Sequence, residues 1–245
     1  MASMSRCKNS FCPRLWDNTY FAGRYMKTLH DDATQKMVDS LASRYVDNNT
    51  TVLLSTGSTM AMLARAIYKR VSEDSLKGLS VIAQNVEVAL EGLRQKLPSV
   101  ELYMPAGPIM NDVAAVEVHR LPARLNVARI FMSFGGFSCD GGLTDATQDA
   151  ARTKRSILPW PFIGKPLPDF FFVIQDWKLG LVQDQRTLTR RVFTNMREKH
   201  TIRIALNKPT GDAAAFETEV SEIQKKWSLK TECELDDKKV LILSS

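Results

Sequence analysis

The chain is short of the residues that build metal centres and disulfide scaffolds. Its four cysteines, Cys7, Cys12, Cys139 and Cys233, form no CxxC pair, and none of its three histidines, His30, His119 and His200, stands in an HExxH frame. Zinc binding and a Ser-His-Asp triad therefore have no support in the spacing. The thiols read as free, which fits a reducing compartment. No apolar run approaches the roughly 18 to 20 residues of a membrane span. The first residues lack the apolar core of a secretory signal, so a cytoplasmic location is expected. Against it stands only a basic opening, in which Arg6, Lys8 and Arg14 precede the first acid, Asp17, as in transit peptides. The GxxxxGK[ST] spacing is missing too, which disfavours nucleoside triphosphate hydrolysis.

What is present is the composition of an ordinary globular protein. The 245 residues are 44% hydrophobic and 24% charged, which excludes a disordered or collagen-like chain. Lys plus Arg number 33 against 27 Asp plus Glu, giving a net charge of +6. A mildly basic protein suits anionic partners, among them nucleic acid, phosphorylated metabolites and acidic proteins, or simply a solvated basic surface. Arg186, Arg190, Arg191, Arg197, Lys199 and Arg203 concentrate this charge. Such a stretch can contact nucleic acid or protein, but it carries no RNA-recognition, KH or helix-turn-helix signature.

Residues 1–30 have no sustained period and read as an arm rich in basic and aromatic residues, too short for a winged helix-turn-helix. From Asp31 the pattern is helical, with Met37, Leu41 and Tyr45 beside Val38, Ala42 and Val46 on one face. The apolar run at 51–55 is short enough to be a buried strand, and a second helix spans 59–70. Further strands are expected at 79–83, 100–104, 129–134, 170–175, 201–206 and 239–243, and helices at 86–96, 112–121, 145–158 and 212–227. This alternation predicts one α/β domain over residues 31–245, doubly wound around a largely parallel sheet with helices on both faces. Four prolines between 158 and 168 predict a loop over the sheet edge.

Three candidate ligand loops follow expected strands. Thr56, Gly57, Ser58 and Thr59 combine hydroxyls, a permissive glycine and helix-start amides, which is either an anion cradle or an ordinary N-cap by Thr56 or Ser58. Residues 135–144 place four glycines around Asp140 and Cys139, as a ligand loop or as tight turns. Asp176 and Lys178 follow the apolar strand at 170–175, where they can hold a hydroxyl and a phosphate or form a solvated ion pair. In an open parallel sheet, ligands sit beyond the carboxyl ends of the strands, where all three loops fall.

In this order the motifs resemble the ligand-sensing C-terminal domain of DeoR-family sugar-metabolism repressors. That domain is similar in fold to ribose-5-phosphate isomerase and belongs with it in the ISOCOT group. The resemblance rests on Leu54-Ser55-Thr56-Gly57-Ser58-Thr59, on Val81 to Asn85, on Tyr103 to Gly107, on Phe134 to Thr144, and on Asp176-Trp177-Lys178-Leu179-Gly180. It runs over roughly residues 31 to 243. It implies a small phosphorylated sugar or similar metabolite, bound without turnover. Thr56, Gly57, Ser58 and Thr59 would hold the phosphate, and Asn85, Asp140, Asp176 and Lys178 would surround the polyol. It also implies self-association and regulation through a partner, with no cofactor, no metal and no membrane.

The departures from the family pattern leave two alternatives. Ser55 stands where the family has an acid, and Ala106-Gly107 replaces a glycine pair. An isomerase would need a base and a cation, for which Asp140 or Asp176 and Lys178 are available. An interaction protein that has lost its pocket is the other reading, with Ser55 and Ala106 as its cautionary residues.

Overall fold

The computed structural model describes residues 32–122, 124–158, 167–209, 213–236 and 240–245. The expected arm and most of the proline-rich loop lie outside the described residues. In chain order the elements are α1 (Asp32–Tyr45), β1 (Thr51–Leu54), α2 (Ser58–Ser72), β2 (Leu79–Ala83), α3 (Val86–Gln95) and β3 (Val100–Tyr103). A finger of β4 (Ile109–Met110) and β5 (Ala115–Val116) follows. Next come β6 (Arg129–Ser133), β7 (Gly136–Ser138), β8 (Gly142–Asp145), α4 (Gln148–Arg155), β9 (Asp169–Ile174), β10 (Gln185–Leu188) and α5 (Arg190–Arg197). The chain closes with β11 (Ile202–Asn207), α6 (Ala213–Trp227), β12 (Lys230–Leu235) and β13 (Val240–Ser244).

Eight strands form the main sheet in the order β12-β13-β11-β9-β6-β1-β2-β3. From β3 to β11 every pairing is parallel, whereas β13 runs antiparallel to both β11 and β12. The strands are apolar on both faces because both are covered. Alternate residues serve alternate layers. Val52, Leu54, Phe131 and Phe171 pack towards α1, α2 and α3, while Leu53, Ile130, Phe170 and Phe172 pack towards α5 and α6. The expected doubly wound α/β sheet with helices on both faces is what the chain forms.

Chain order reverses between β1 and β6: β2 and β3 extend the sheet on one side of β1, and β6, β9 and β11 on the other. In an open α/β sheet such a reversal is where the ligand crevice falls, here at the carboxyl ends of β1 and β6.

Residues 112–121 do not form the expected helix. Asn111–Val113 makes one turn of 3-10 helix, and β4 pairs with β5. Non-local partners claim the backbone there: Val86 N donates to Ala114 O (2.9 Å) and Gln84 Nε2 to Val116 O (3.0 Å). Residues 135–144, read as a loop, form the β7–β8 hairpin, which β10 extends to three strands. Helix α5 and the edge strand β12 had no counterpart in the sequence reading.

Candidate functional site

The carboxyl ends of β2, β1, β6, β9 and β11 lie side by side, because these strands are consecutive neighbours in the sheet. At about 4.8 Å per strand spacing, the β1 and β9 loops are roughly 10 Å apart.

Helix α2 starts directly after β1. Its N-cap is Gly57, at φ 115°, and no side chain caps the first turn. Neither Thr56 nor Ser58 plays the capping role open to it. Thr56 is buried and donates through Oγ1 to Val113 O at 3.5 Å, while Ser58 is half-buried at the helix start. Thr59 is buried in the first turn, and its hydroxyl has no hydrogen-bond partner. Ser133, at the end of β6, donates through Oγ to Thr56 O at 3.2 Å and so ties together the two loops that flank the crevice.

The β2 end is already satisfied. Ser55 Oγ donates to Gln84 Oε1 (2.9 Å), and Gln84 Nε2 donates to Val116 O and to Thr153 O (2.8 Å), all of it buried. Asn85 accepts from Glu87 N at 2.8 Å, so its side chain is the cap of α3.

At the β9 end, Asp176 and Asn207 form a reciprocal pair. Asp176 N donates to Asn207 Oδ1 (2.9 Å) and Asn207 Nδ2 to Asp176 Oδ1 (3.1 Å). Lys178 is largely buried, with Nζ 5.0 Å from the ring centroid of the exposed Trp177. Between strand and loop lies Gln175, fully buried. Its Nε2 donates to Thr34 Oγ1 (2.9 Å), while its Oε1 has no partner.

Asp140 is placed elsewhere. It sits at the tip of the β7–β8 hairpin, ion-paired to Lys226 in the last turn of α6. The Lys226 hydrogen bond and charge hold its carboxyl below the ordinary value. Lys230, which opens β12, and Arg203, near the start of β11, both pair with Ser244. The end of α6 therefore lies at the amino edge of the sheet, opposite Thr56. The structure brings Thr56, Gly57, Ser58, Thr59, Asn85, Asp176 and Lys178 to one edge, whereas Asp140 stands on a hairpin that packs along α6, its carboxylate bound to Lys226.

The sequence reading missed Ser133, Gln175 and Asn207, although the rule that located Asp176 also covers these residues at strand carboxyl ends. It also missed a buried ion pair behind the β6 loop. Lys154 Nζ bonds Asp145 Oδ1, which also accepts from Gly135 N (3.1 Å), while Thr187 Oγ1 donates to Asp145 Oδ2 (2.6 Å). Nothing distinguishes Lys154 from its exposed neighbours Arg152 and Arg155 until the fold buries it. Among the described residues no group of three or more His, Cys, Asp or Glu is placed to hold a metal. No helix among them is long and apolar enough to cross a membrane.

An open, mostly parallel sheet with an uncapped helix start at its crossover defines the class: a doubly wound α/β domain. The DeoR C terminal sensor domain matches residues 32–159, more than half of the chain, and the chain belongs to that family. Similar solved structures include the ribose 5-phosphate isomerase of Plasmodium falciparum, at 13% identity over 86% of this chain and 77% of that one, with a TM-score of 0.44. Those of Methanocaldococcus jannaschii (13% identity, 87% and 78% covered, TM-score 0.41) and Neisseria gonorrhoeae (10% identity, 87% and 74% covered, TM-score 0.40) are others. No curated protein matches the chain.

Proposed function

We propose that the chain senses a small phosphorylated sugar or similar metabolite, held at the start of α2 and not turned over. The carrying observation is that α2 opens without a side-chain cap while the Thr59 hydroxyl in its first turn is buried and unpartnered. Free amides at a helix start favour an anion, and a buried hydroxyl without a partner costs about 1–3 kcal/mol unless something occupies it. Membership of a sensor-domain family points the same way. The phosphate then lies on Thr56, Gly57, Ser58 and Thr59. The sugar hydroxyls extend towards Asp176, Lys178 and the free Oε1 of Gln175. Asn85 borders the crevice from the β2 side, and Asp140 takes no part.

Absence of turnover is favoured by how the carboxylates of these loops are held. Asp176 is paired with Asn207, Asp145 is closed in by Lys154, Thr187 and Gly135 N, and Asp140 is bound to Lys226. A base for enediolate chemistry must be free to take a proton at the substrate carbon. Binding instead shifts the population of a regulated state, through whatever difference in affinity the two states show.

The test is thermal unfolding with a panel of pentose, hexose and nucleoside phosphates, followed by a turnover assay on any ligand that stabilises the chain. A Thr59→Val chain keeps the side-chain shape and removes the orphaned hydroxyl. Without ligand it should be as stable as the parent or up to about 1–2 kcal/mol more so. Its stabilisation by the ligand should fall at least by half. No stabilisation of the parent by any phosphate, or full stabilisation of Thr59→Val, overturns the reading.

A further inference from the structure

Among the described residues four buried side-chain atoms lack a hydrogen-bond partner: Thr59 Oγ1, Glu117 Oε2, Arg129 Nη1 and Gln175 Oε1. Glu117 and Arg129 are ion-paired through their other atoms, to Arg152 and to Asp47. Thr59 and Gln175 are neutral, and both stand at the carboxyl edge of the sheet in the layer that holds α1 and α2. Val173 packs into that layer and Ile174 into the opposite one, so Gln175 returns to the first. Ser133, two residues after Phe131 on β6, faces the same layer, and its partner across the ladder is Val173. Gln175 is therefore one strand and two residues from Ser133, roughly 8 Å between Cα atoms. Ser133 in turn touches the start of α2 through its bond to Thr56 O. One small ligand can span the distance from the α2 amides to Gln175. The next donor along the chain, Asp176 N, is committed to Asn207 Oδ1 and cannot serve Gln175.

We infer that Gln175 is a specificity-determining residue, which accepts one hydroxyl of the bound metabolite through Oε1 and is aimed by Thr34. The inference rests on the reading that a phosphorylated polyol occupies this edge, and it names the part of that ligand that is selected. Gln175 Nε2 donates to Thr34 Oγ1 at 2.9 Å, and Thr34 is fully buried in the first turn of α1. The atom of the amide left without a partner is an acceptor. An acceptor calls for a donor on the ligand and repels a carboxylate or carbonyl oxygen at the same place, so the ligand class is a polyol phosphate rather than a sugar-acid phosphate. Gln175 is fully buried, so water does not reach it. An analogue without the hydroxyl leaves Oε1 unpaired instead of hydrated, which is how a site discriminates most strongly against a missing group. Entry of the ligand must part the groups that now close over this atom.

Calorimetric titration of the full chain reads the selection. The probes are pentose and hexose phosphates, each beside its singly deoxygenated analogues, together with sugar-acid phosphates, the unphosphorylated sugars and inorganic phosphate. Removal of one particular hydroxyl should weaken binding to the parent by roughly five- to a hundredfold. A carboxylate at that place should weaken it at least as much. Gln175→Met should bind the two members of that pair almost equally well, and Thr34→Val, which frees the amide to turn, should lie between. The preference is a ratio within one chain, so a general loss of stability does not mimic its disappearance. Hydroxyl selection by the free sugars in a chain that ignores inorganic phosphate would move the anion away from α2 and still support the role of Gln175. A parent indifferent to every single deoxygenation, a parent that binds no sugar or sugar phosphate, or a Gln175→Met chain that keeps the parent's preference overturns the inference.

Discussion

Replacement of Asp145 by asparagine is expected to cost about 3–5 kcal/mol of unfolding free energy, because it strands the Lys154 ammonium in the core. The Lys154 and Asp145 side chains are only 5% and 4% exposed, so water cannot take over the lost partner. Nζ lies 5.1 Å from the centroid of the Phe134 ring, which offers a cation only partial compensation. The double variant Asp145→Asn, Lys154→Met removes the stranded charge and should recover most of the loss, since a neutral asparagine beside an aliphatic chain leaves no ion unpaired. Urea unfolding of the parent, both single variants and the double variant measures the coupling. Losses in the single variants that simply add in the double would show the pair to be energetically independent. The consequence reaches the ligand edge. Gly135 N donates to Asp145, and Ser133, two residues earlier, holds Thr56 O. A loosened β6 loop should therefore also lower the ligand-induced stabilisation.

That chain of contacts shows what the sequence could and could not carry. The parallel strands were legible because each is a short apolar run, as in Thr51 to Leu54 or Asp169 to Ile174, and the spacing between runs leaves room for a helix. Helix α5 escaped because its eight residues bury only Phe193 and Met196 among arginines. Strand β12 escaped because Lys-Thr-Glu-Cys-Glu-Leu lies on the sheet edge, exposed along most of its length, with no apolar face to display. The failed helix at 112–121 has a different cause. Val113 and Val116 do show a helical interval, but the carbonyls of Ala114 and Val116 are claimed by Val86 N and Gln84 Nε2, partners about thirty residues away. Local periodicity holds no information about such competitors.

The site was legible to the same degree. Which strand ends carry polar residues could be read, and from that Thr56 to Thr59, Asp176 and Lys178 came to one edge. How each side chain is spent could not be read. Asn85 turned inward as a cap, Gln84 became the buried tie beneath Ser55, and Asp140 went to an ion pair with Lys226 on a hairpin that packs along α6. The glycine-rich loop misled because its glycines serve close packing as much as turning. Gly136, for instance, lies where a Cβ would meet Leu181 O at 2.3 Å.

Gly57 is the exception among these glycines, since both its conformation and its contact bear on function. A Gly57→Ala chain should lose about 2–4 kcal/mol of stability and its entire stabilisation by phosphate ligands. At φ 115° and ψ 156° an alanine is strained by roughly 1–3 kcal/mol. Its Cβ would also lie 2.6 Å from Ser133 Oγ, so the hydroxyl must rotate and give up its bond to Thr56 O, about 1 kcal/mol more. The two contributions separate in a Gly57→Ala, Ser133→Ala chain, which relieves the contact but leaves the backbone strained. Its stability should lie above that of Gly57→Ala, while ligand stabilisation stays absent. The reason is geometric: either the alanine keeps the strained backbone or the loop relaxes, and relaxation turns the Ser58 and Thr59 amides away from a common anion. Thermal unfolding of the three chains with and without the stabilising sugar phosphate separates these effects. Full ligand stabilisation in Gly57→Ala would place the phosphate away from the start of α2. Loss of ligand stabilisation in Gly57→Ala but its return in the double variant would locate the defect in the Ser133 contact rather than in the Gly57 backbone.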